Sequence, residues 1–272
     1  MSGTHLRLDL PKLRINEIFG PTLQGEGSFI GQRALWVRLA ICNLRCGWCD
    51  TAYTWAFTEA TAKRHEDKIV YSREAEIHEM TVMEVRTKLL ELADPCIVVF
   101  SGGEPLLQTG GRLMTRDEPA LFTRATDLLG ELAHTLEHAG YQIHIETAGT
   151  KLPGFLLHGH VAHYVVSPKL HSSGNTTQTR RVDAPLQFFA GLQNVTFKFV
   201  ITKAQIEEDL EEVDLLTDRY EIPPGKVMLM PEGRTRREVL AGTIRLGQRA
   251  IDRGFGLSTR LQTLIWEEER KR

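Results

Sequence analysis

Short apolar runs alternate with helical segments along most of this chain, and that alternation restricts its fold more than any other feature. Seven runs read as strands: Ile15–Phe19, Ala34–Leu39, Ile97–Phe100, Gln142–Ile145, Ala162–Val166, Thr196–Val200 and Val227–Met230. Each is short, β-branched or aromatic in character, and bounded by turn residues. Four segments read as helices: Thr81–Ala93, Pro119–Ala139, Lys203–Asp218 and Arg236–Arg253. In the first, Val82, Val85, Leu89, Leu90 and Leu92 recur at helical spacing, and Thr81 with Glu84 makes a capping box. Gly140 stops the second. Alternation of this kind predicts a parallel α/β sheet, open or closed into a barrel, with its chemistry at the carboxyl ends of the strands.

Polar motifs fall where that rule wants them. The run Ala34–Leu39 leads into a cysteine-rich loop, and Ile97–Phe100 leads into Ser101-Gly102-Gly103-Glu104-Pro105. Gln142–Ile145 ends at Glu146-Thr147-Ala148-Gly149-Thr150, Ala162–Val166 at Ser167-Pro168-Lys169, and Val227–Met230 at Pro231-Glu232-Gly233. Any one of these could be an ordinary turn; with parallel strands all five, the cysteine loop among them, would meet on one rim, and together they read as a site. Gly102 and Gly103 can bring backbone close to a ligand and expose its amides or carbonyls, and Glu104 adds a carboxylate there. Glu146 could accept hydrogen bonds from ribose hydroxyls, with Ser167 and Lys169 on the same ligand. Lys169 also reads as a salt-bridge partner.

The cysteine loop is Cys42-Asn43-Leu44-Arg45-Cys46-Gly47-Trp48-Cys49-Asp50-Thr51, a C-x3-C-x2-C spacing, and the remaining cysteine is Cys96. A redox-only [4Fe–4S] centre takes four cysteines, so three thiolates leave one iron open to a small molecule. Structural zinc is the competing reading, although the only C-x2-C is Cys46/Cys49 and the next histidine is His65. Four cysteines in 272 residues are too sparse for a disulfide scaffold. Trp48 either covers a cluster or caps the loop as a core residue, and Cys96 reads as an inert core thiol.

Composition excludes other classes. With 42% apolar residues the chain can build one large α/β domain or two small ones, and a net charge of −2 with pI near 6.6 offers no basic field for nucleic acid. Met1 to Arg14 shows no apolar signal region and no run approaches a membrane span, so the chain reads as cytoplasmic. The charged stretch Lys63–Lys68 reads as a solvated excursion, Ser172–Asp183 as a flexible loop, and the histidines at 158, 160 and 163 as a surface tract without a role.

Taken together, the cysteine spacing with an aromatic before the third cysteine, followed by a strand and Gly-Gly-Glu-Pro, resembles the radical S-adenosylmethionine superfamily. Phe19-Gly20-Pro21-Thr22-Leu23-Gln24-Gly25-Glu26-Gly27, Trp36-Val37-Arg38-Leu39, Cys49-Asp50-Thr51, Glu146-Thr147-Ala148-Gly149 and Ser167-Pro168-Lys169 narrow it to the 7-carboxy-7-deazaguanine synthase family. The similarity runs from about Ile15 to the C-terminus, with family-unlike length near 57–79 and 172–183.

That resemblance implies an α/β fold, a partial (β/α)6-type barrel shortened on its helical side, as a single domain over residues 1–272. It implies a [4Fe–4S] cluster on Cys42, Cys46 and Cys49. S-adenosylmethionine would sit on the open iron, lined by Trp48, Cys49, Asp50, Gly103, Glu146, Ser167 and Lys169. Leu23, Gln24, Gly25, Gly27, Arg38 and Ser101 would hold a pterin, with Arg38 suited to its carboxylate. Thr51 would ligate Mg2+; taken alone, it reads as a helix N-cap. The reaction implied is a carbon–nitrogen lyase step of queuosine-type deazapurine biosynthesis. A 5′-deoxyadenosyl radical takes hydrogen from C6 of 6-carboxy-5,6,7,8-tetrahydropterin, and ring contraction with loss of ammonia gives 7-carboxy-7-deazaguanine. No side chain is assigned as a catalytic group. An electron donor such as flavodoxin or ferredoxin and a homodimer are implied as well, with no nucleic-acid or membrane partner. Thr259 and Gln262 stand where the family tends to carry Pro and His, which puts C-terminal contacts to substrate in question. The other readings are a different radical enzyme, such as a glycyl-radical activase, and a zinc-binding interaction module.

Overall fold

The structure, a computed structural model, describes residues 10–109, 127–267 and 269–271. Its strands are β1 (Leu13–Leu23), β2 (Arg33–Leu39), β3 (His78–Met80), β4 (Ile97–Gly102), β5 (Gln142–Thr147), β6 (Val161–Val166), β7 (Val195–Ile201), β8 (Val227–Pro231) and β9 (Gly256–Leu257). The helices are α1 (Glu59–Ala62), α2 (Arg73–Glu76), α3 (Val82–Leu92), α4 (Leu128–Glu137), α5 (Phe155–Gly159), α6 (Thr177–Arg180), α7 (Asp183–Ala190), α8 (Ile206–Arg219), α9 (Arg236–Asp252) and α10 (Leu261–Trp266).

All nine strands join one sheet in the order β3-β1-β2-β4-β5-β6-β7-β8-β9. From β2 to β9 every neighbour is parallel, while β1 runs antiparallel to both β2 and β3. The sheet ends at β3 and β9 without closing, so the expected partial barrel holds, with β2 and β4–β8 as its six main parallel strands. Two of the crossover helices are short, five residues in α5 and eight in α7, while α8 and α9 have 14 and 17.

All seven expected strands form. The additional β3 and β9 are three and two residues long and pair at the edges, too short to leave a period in the sequence. Alternation sets the faces. Val98, Phe100, Ile143, Ile145, Tyr164, Val166, Phe197 and Phe199 point to the helices and make the main core. Their neighbours Ser101, Glu146, Val165 and Lys198 point to the barrel interior and line a cleft.

The four expected helices form with altered ends. Thr81 and Glu84 make the capping box of α3, but Leu90 lies off its buried stripe, 39% exposed. The helix expected over Pro119–Ala139 starts at Leu128, where Asp127 accepts the Gly130 N–H; residues 119–126 lie outside the described residues. The segment expected from Lys203 begins at Ile206, because the Thr202 N–H and hydroxyl bind Asp209 first. Ser172–Asp183 is not a flexible loop: it contains α6 and a buried arginine, Arg180, bonded to Glu212 of α8.

Candidate functional site

A cleft of about 470 Å3 opens at the carboxyl ends of the parallel strands. All five strand-end segments contribute to it, including Cys49, Ser101, Glu146, Ser167 and Glu232. The rim expected from the sequence is therefore assembled.

The cysteine loop is held by backbone. Ile41, at φ +75°, turns the chain off β2, an unusual conformation for a β-branched residue. The Gly103 N–H donates to Leu39 O (2.8 Å) and the Glu104 N–H to Ile41 O (2.9 Å). A Cβ on Gly103 would stand 2.0 Å from Ile41 O. Gly103 thus admits the backbone at the start of the cysteine loop and spends its own amide on Leu39, while Gly102 and Gly103 both line the cleft. The Glu104 carboxylate beside them is spent inside the protein. Fully buried, it accepts from Thr147 Oγ1 (2.7 Å), Ala148 N (2.8 Å) and Leu106 N (3.2 Å), tying β4 to β5.

Cys42, Cys46 and Cys49 all line the cleft. Each sulfur receives an N–H: from Leu44 N at 3.4 Å, Asn175 Nδ2 at 3.3 Å and Trp55 Nε1 at 3.3 Å respectively. Burial pushes all three thiols up, Cys46 to about 12, so cations are needed before they ionise. No three His, Cys, Asp or Glu side chains among the described residues are drawn together as ligands of one metal ion would be. A cubane offers each thiolate a different iron, so three cysteines of one loop lining the same cleft suit it. The donor set and its N–H partners fit such a cluster.

Around the loop, the expected ligand contacts interlock. Glu146 accepts from Gln24 Nε2 (3.2 Å) and Ser101 Oγ (3.1 Å), joining a residue assigned to the cofactor with two assigned to the pterin. The Lys169 ammonium bonds Ser167 Oγ (2.9 Å) and its carbonyl (3.0 Å), and lies 5.7 Å from the Trp48 ring centroid. Trp48 Nε1 is buried without a partner among the described residues, a donor free for a ligand. Arg38 gives its Nε to Glu17 (2.7 Å) and lies against Phe19 and Trp36. Thr51 is buried with no N-cap bond; its hydroxyl reaches Gly102 O at 3.3 Å. Leu23, Gly25 and Asp50 line the cleft as well.

Gly27 does not line it. Buried at φ +74°, it donates its N–H to Ser258 Oγ (2.9 Å) and serves the backbone turn. The three histidines also part company. His158 bonds Tyr164 (3.1 Å), His160 bonds His134 and Glu137, and His163 bonds Thr196 (2.9 Å). Cys96 packs at the edge of the main core, in keeping with an inert thiol. Within the charged stretch, His65 is the exception to solvation: buried, with Nε2 2.7 Å from Cys49 O.

Sequence reasoning missed a buried ionic network on the opposite wall. Glu26 Oε1 accepts from Arg260 Nε (3.0 Å) and Gln262 Nε2 (2.6 Å), while its Oε2 pairs with Lys198. Arg260 also bonds Gly233 O (2.6 Å) and Asp50. Burial alone would raise the Glu26 pKa, but the charges of Lys198 and Arg260 hold it far below the usual carboxylate range. Gln262 brings the C-terminal segment into the cleft, and its Oε1 stands 1.8 Å from where a Gly25 Cβ would be.

No protein-family model matches the chain. Curated relatives do. A 7-carboxy-7-deazaguanine synthase from Pyrobaculum aerophilum is 35% identical over 96% of this chain and 97% of its own length. The chain belongs to the 7-carboxy-7-deazaguanine synthase family. A synthase of that name from Halobacterium salinarum is 32% identical, covering 96% of this chain and 93% of its own. The 7-carboxy-7-deazaguanine synthase likeness extends to the fold: a crystal structure of QueE from Escherichia coli superposes with a TM-score of 0.59 at 24% identity, over 91% of this chain and 93% of that one. No helix among the described residues is long and apolar enough to cross a membrane.

Proposed function

We infer that this chain is a radical S-adenosylmethionine lyase that converts 6-carboxy-5,6,7,8-tetrahydropterin into 7-carboxy-7-deazaguanine and ammonia. The observation that carries this reading is one cleft whose lining holds three cysteines together with Gln24, Arg38, Ser101 and Glu146. When bound, the [4Fe–4S] cluster with S-adenosylmethionine supplies the hydrogen-abstracting radical.

The protein's own part is to bind, orient and exclude water. Cys42, Cys46 and Cys49 hold the cluster. Trp48, Cys49, Asp50, Gly103, Glu146, Ser167 and Lys169 line the cofactor, with the ammonium of Lys169 fixed by Ser167. Leu23, Gln24, Gly25, Arg38 and Ser101 face the pterin. Arg38 is supported as its carboxylate partner because Glu17 occupies only Nε, and its Nη groups have no protein partner among the described residues. Gly27 acts only through the turn. Thr51, a buried hydroxyl beside the thiols, is the Mg2+ ligand. A single domain is supported by one sheet holding all nine strands. A cytoplasmic homodimer served by a flavodoxin- or ferredoxin-type donor completes the proposal.

Anaerobic reconstitution followed by incubation with reductant, S-adenosylmethionine and the carboxy-tetrahydropterin tests it. About four iron and four sulfide per chain, with 7-carboxy-7-deazaguanine formed, is the expected result. Deoxyadenosine without the deazaguanine acid would point to another radical enzyme. Colourless stoichiometric zinc would mean a binding module.

A further inference from the structure

The segment between β6 and α7 reaches back across the rim and touches the cysteine loop through Asn175. Asn175 Oδ1 accepts the Arg45 backbone N–H at 2.8 Å. Only the oxygen of the amide can meet that donor, so Nδ2 is turned toward Cys46 Sγ (3.3 Å) and Ser173 Oγ (3.2 Å). Two further bonds fasten the loops together on either side: Gly47 N–H to Ser173 O (3.0 Å) and Arg64 Nη2 to Gly174 O (2.6 Å). Gly174, at φ +75°, makes the turn that delivers Asn175. The far end is anchored in α8, where Glu212 accepts from Arg180, from Arg181 Nη2 (2.7 Å) and from the His171 N–H (2.7 Å). The amide is therefore a fixed donor.

Its position is unusual among the three thiols. Cys42 and Cys49 take their N–H donors from Leu44 and Trp55, on or next to the same loop. Cys46 takes its donor from a residue 129 positions away, on a segment anchored to a different helix. We propose that Asn175 is a positioning residue that donates Nδ2–H to the Cys46 thiolate and so raises the reduction potential of the iron–sulfur cluster held there. The proposal rests on the assignment of Cys46 as a cluster ligand. Its physical basis is that a reduced cluster carries one more negative charge, part of it delocalised onto the thiolate sulfurs. An N–H aimed at a thiolate sulfur stabilises that state more than the oxidised one.

Two substitutions separate this effect from simple bracing of the loop. Asn175→Asp keeps an acceptor for the Arg45 N–H and removes the donor to sulfur; Asn175→Ala removes both. Full-length wild type and both variants would be reconstituted anaerobically, assayed for iron and sulfide, and titrated redox-potentiometrically with the reduced cluster followed by electron paramagnetic resonance. Wild-type iron content with a midpoint moved to lower potential in both variants is expected. At a fixed potential, this reads as a roughly tenfold lower reduced-to-oxidised ratio. An unchanged midpoint in Asn175→Asp with an intact cluster overturns the proposal, and so does loss of iron in both variants, which would make the contact a brace. Wild type that takes up no iron and sulfide at all would overturn the ligand assignment itself, together with this proposal.

Discussion

Replacing Arg260 with alanine removes a side chain that spans both halves of the cleft, and the cost can be built up from its contacts. The Arg260 and Glu26 side chains are only 11% and 12% exposed, so their pair is largely out of water. Breaking such a pair from one side costs about 3–5 kcal/mol when the surviving charge is stranded. Here Glu26 keeps Lys198 and Gln262, which reduces the loss to about 1–2 kcal/mol. Asp50 is 56% exposed and solvent takes over for it, worth at most about 1 kcal/mol. The Gly233 carbonyl loses a buried donor, about 1 kcal/mol more. Arg260→Ala should therefore destabilise the protein by about 2–4 kcal/mol. Arg260→Lys keeps the charge, but an ammonium cannot serve three acceptors in a fork, so about 1–2 kcal/mol is expected.

Equilibrium urea unfolding, with the slope m unchanged, gives both values. A double-mutant cycle with Glu26→Gln should show a coupling of at least about 1 kcal/mol. Arg260→Ala within about 0.5 kcal/mol of wild type, or strict additivity with Glu26→Gln, would refute the argument. Because Arg260 positions Glu26 and Asp50 and carries no chemistry, KM for pterin and cofactor should rise more than kcat falls.

Four other outcomes are expected. Glu104→Ala strands the Thr147 hydroxyl and the Ala148 and Leu106 amides in a fully buried place, so roughly 3–5 kcal/mol should be lost in urea unfolding, with Glu104→Gln intermediate. Cys46→Ala should cut iron content after reconstitution and abolish product formation; full activity in that variant would remove the cysteine from the ligand set. For the Mg2+ site proposed at Thr51, Thr51→Val should leave iron content alone and flatten the rate plotted against Mg2+ concentration; a profile matching wild type would remove Thr51 from that site. Burial depresses His144 and His163 to about 4, against about 6.5 in an unfolded chain. The unfolded state then binds more protons between these values, so their contribution is complete above about pH 6.5 and is lost as the pH falls to about 4. His144→Phe should flatten the change in urea midpoint between pH 7 and pH 5, and an unaltered slope would show that His144 does not titrate in that window.

What was legible in the sequence follows from how far apart the cooperating residues lie. The rim could be read because each of its segments ends a strand, and a strand announces itself within a few residues. The three cysteines could be read because they share one loop. The network on the opposite wall joins residues 172 and 234 positions apart, Glu26 with Lys198 and with Arg260, and no local period encodes such a pairing. A signal did exist. Lys198 sits between Phe197 and Phe199 in a strand whose every residue is buried. A buried ammonium requires a carboxylate partner, so the lysine alone demanded an acid inside the barrel. Only the fold says that the acid is Glu26, because only the fold sets the interior face of β7 beside the turn after β1. The same reasoning explains the misreading of Ser172–Asp183. Its polar residues look solvated when counted, yet Arg180 and Asn175 spend their hydrogen bonds on Glu212 and the cysteine loop. Polarity in a loop therefore predicts hydrogen bonding, and whether water or protein supplies the partners is decided by elements distant in the chain.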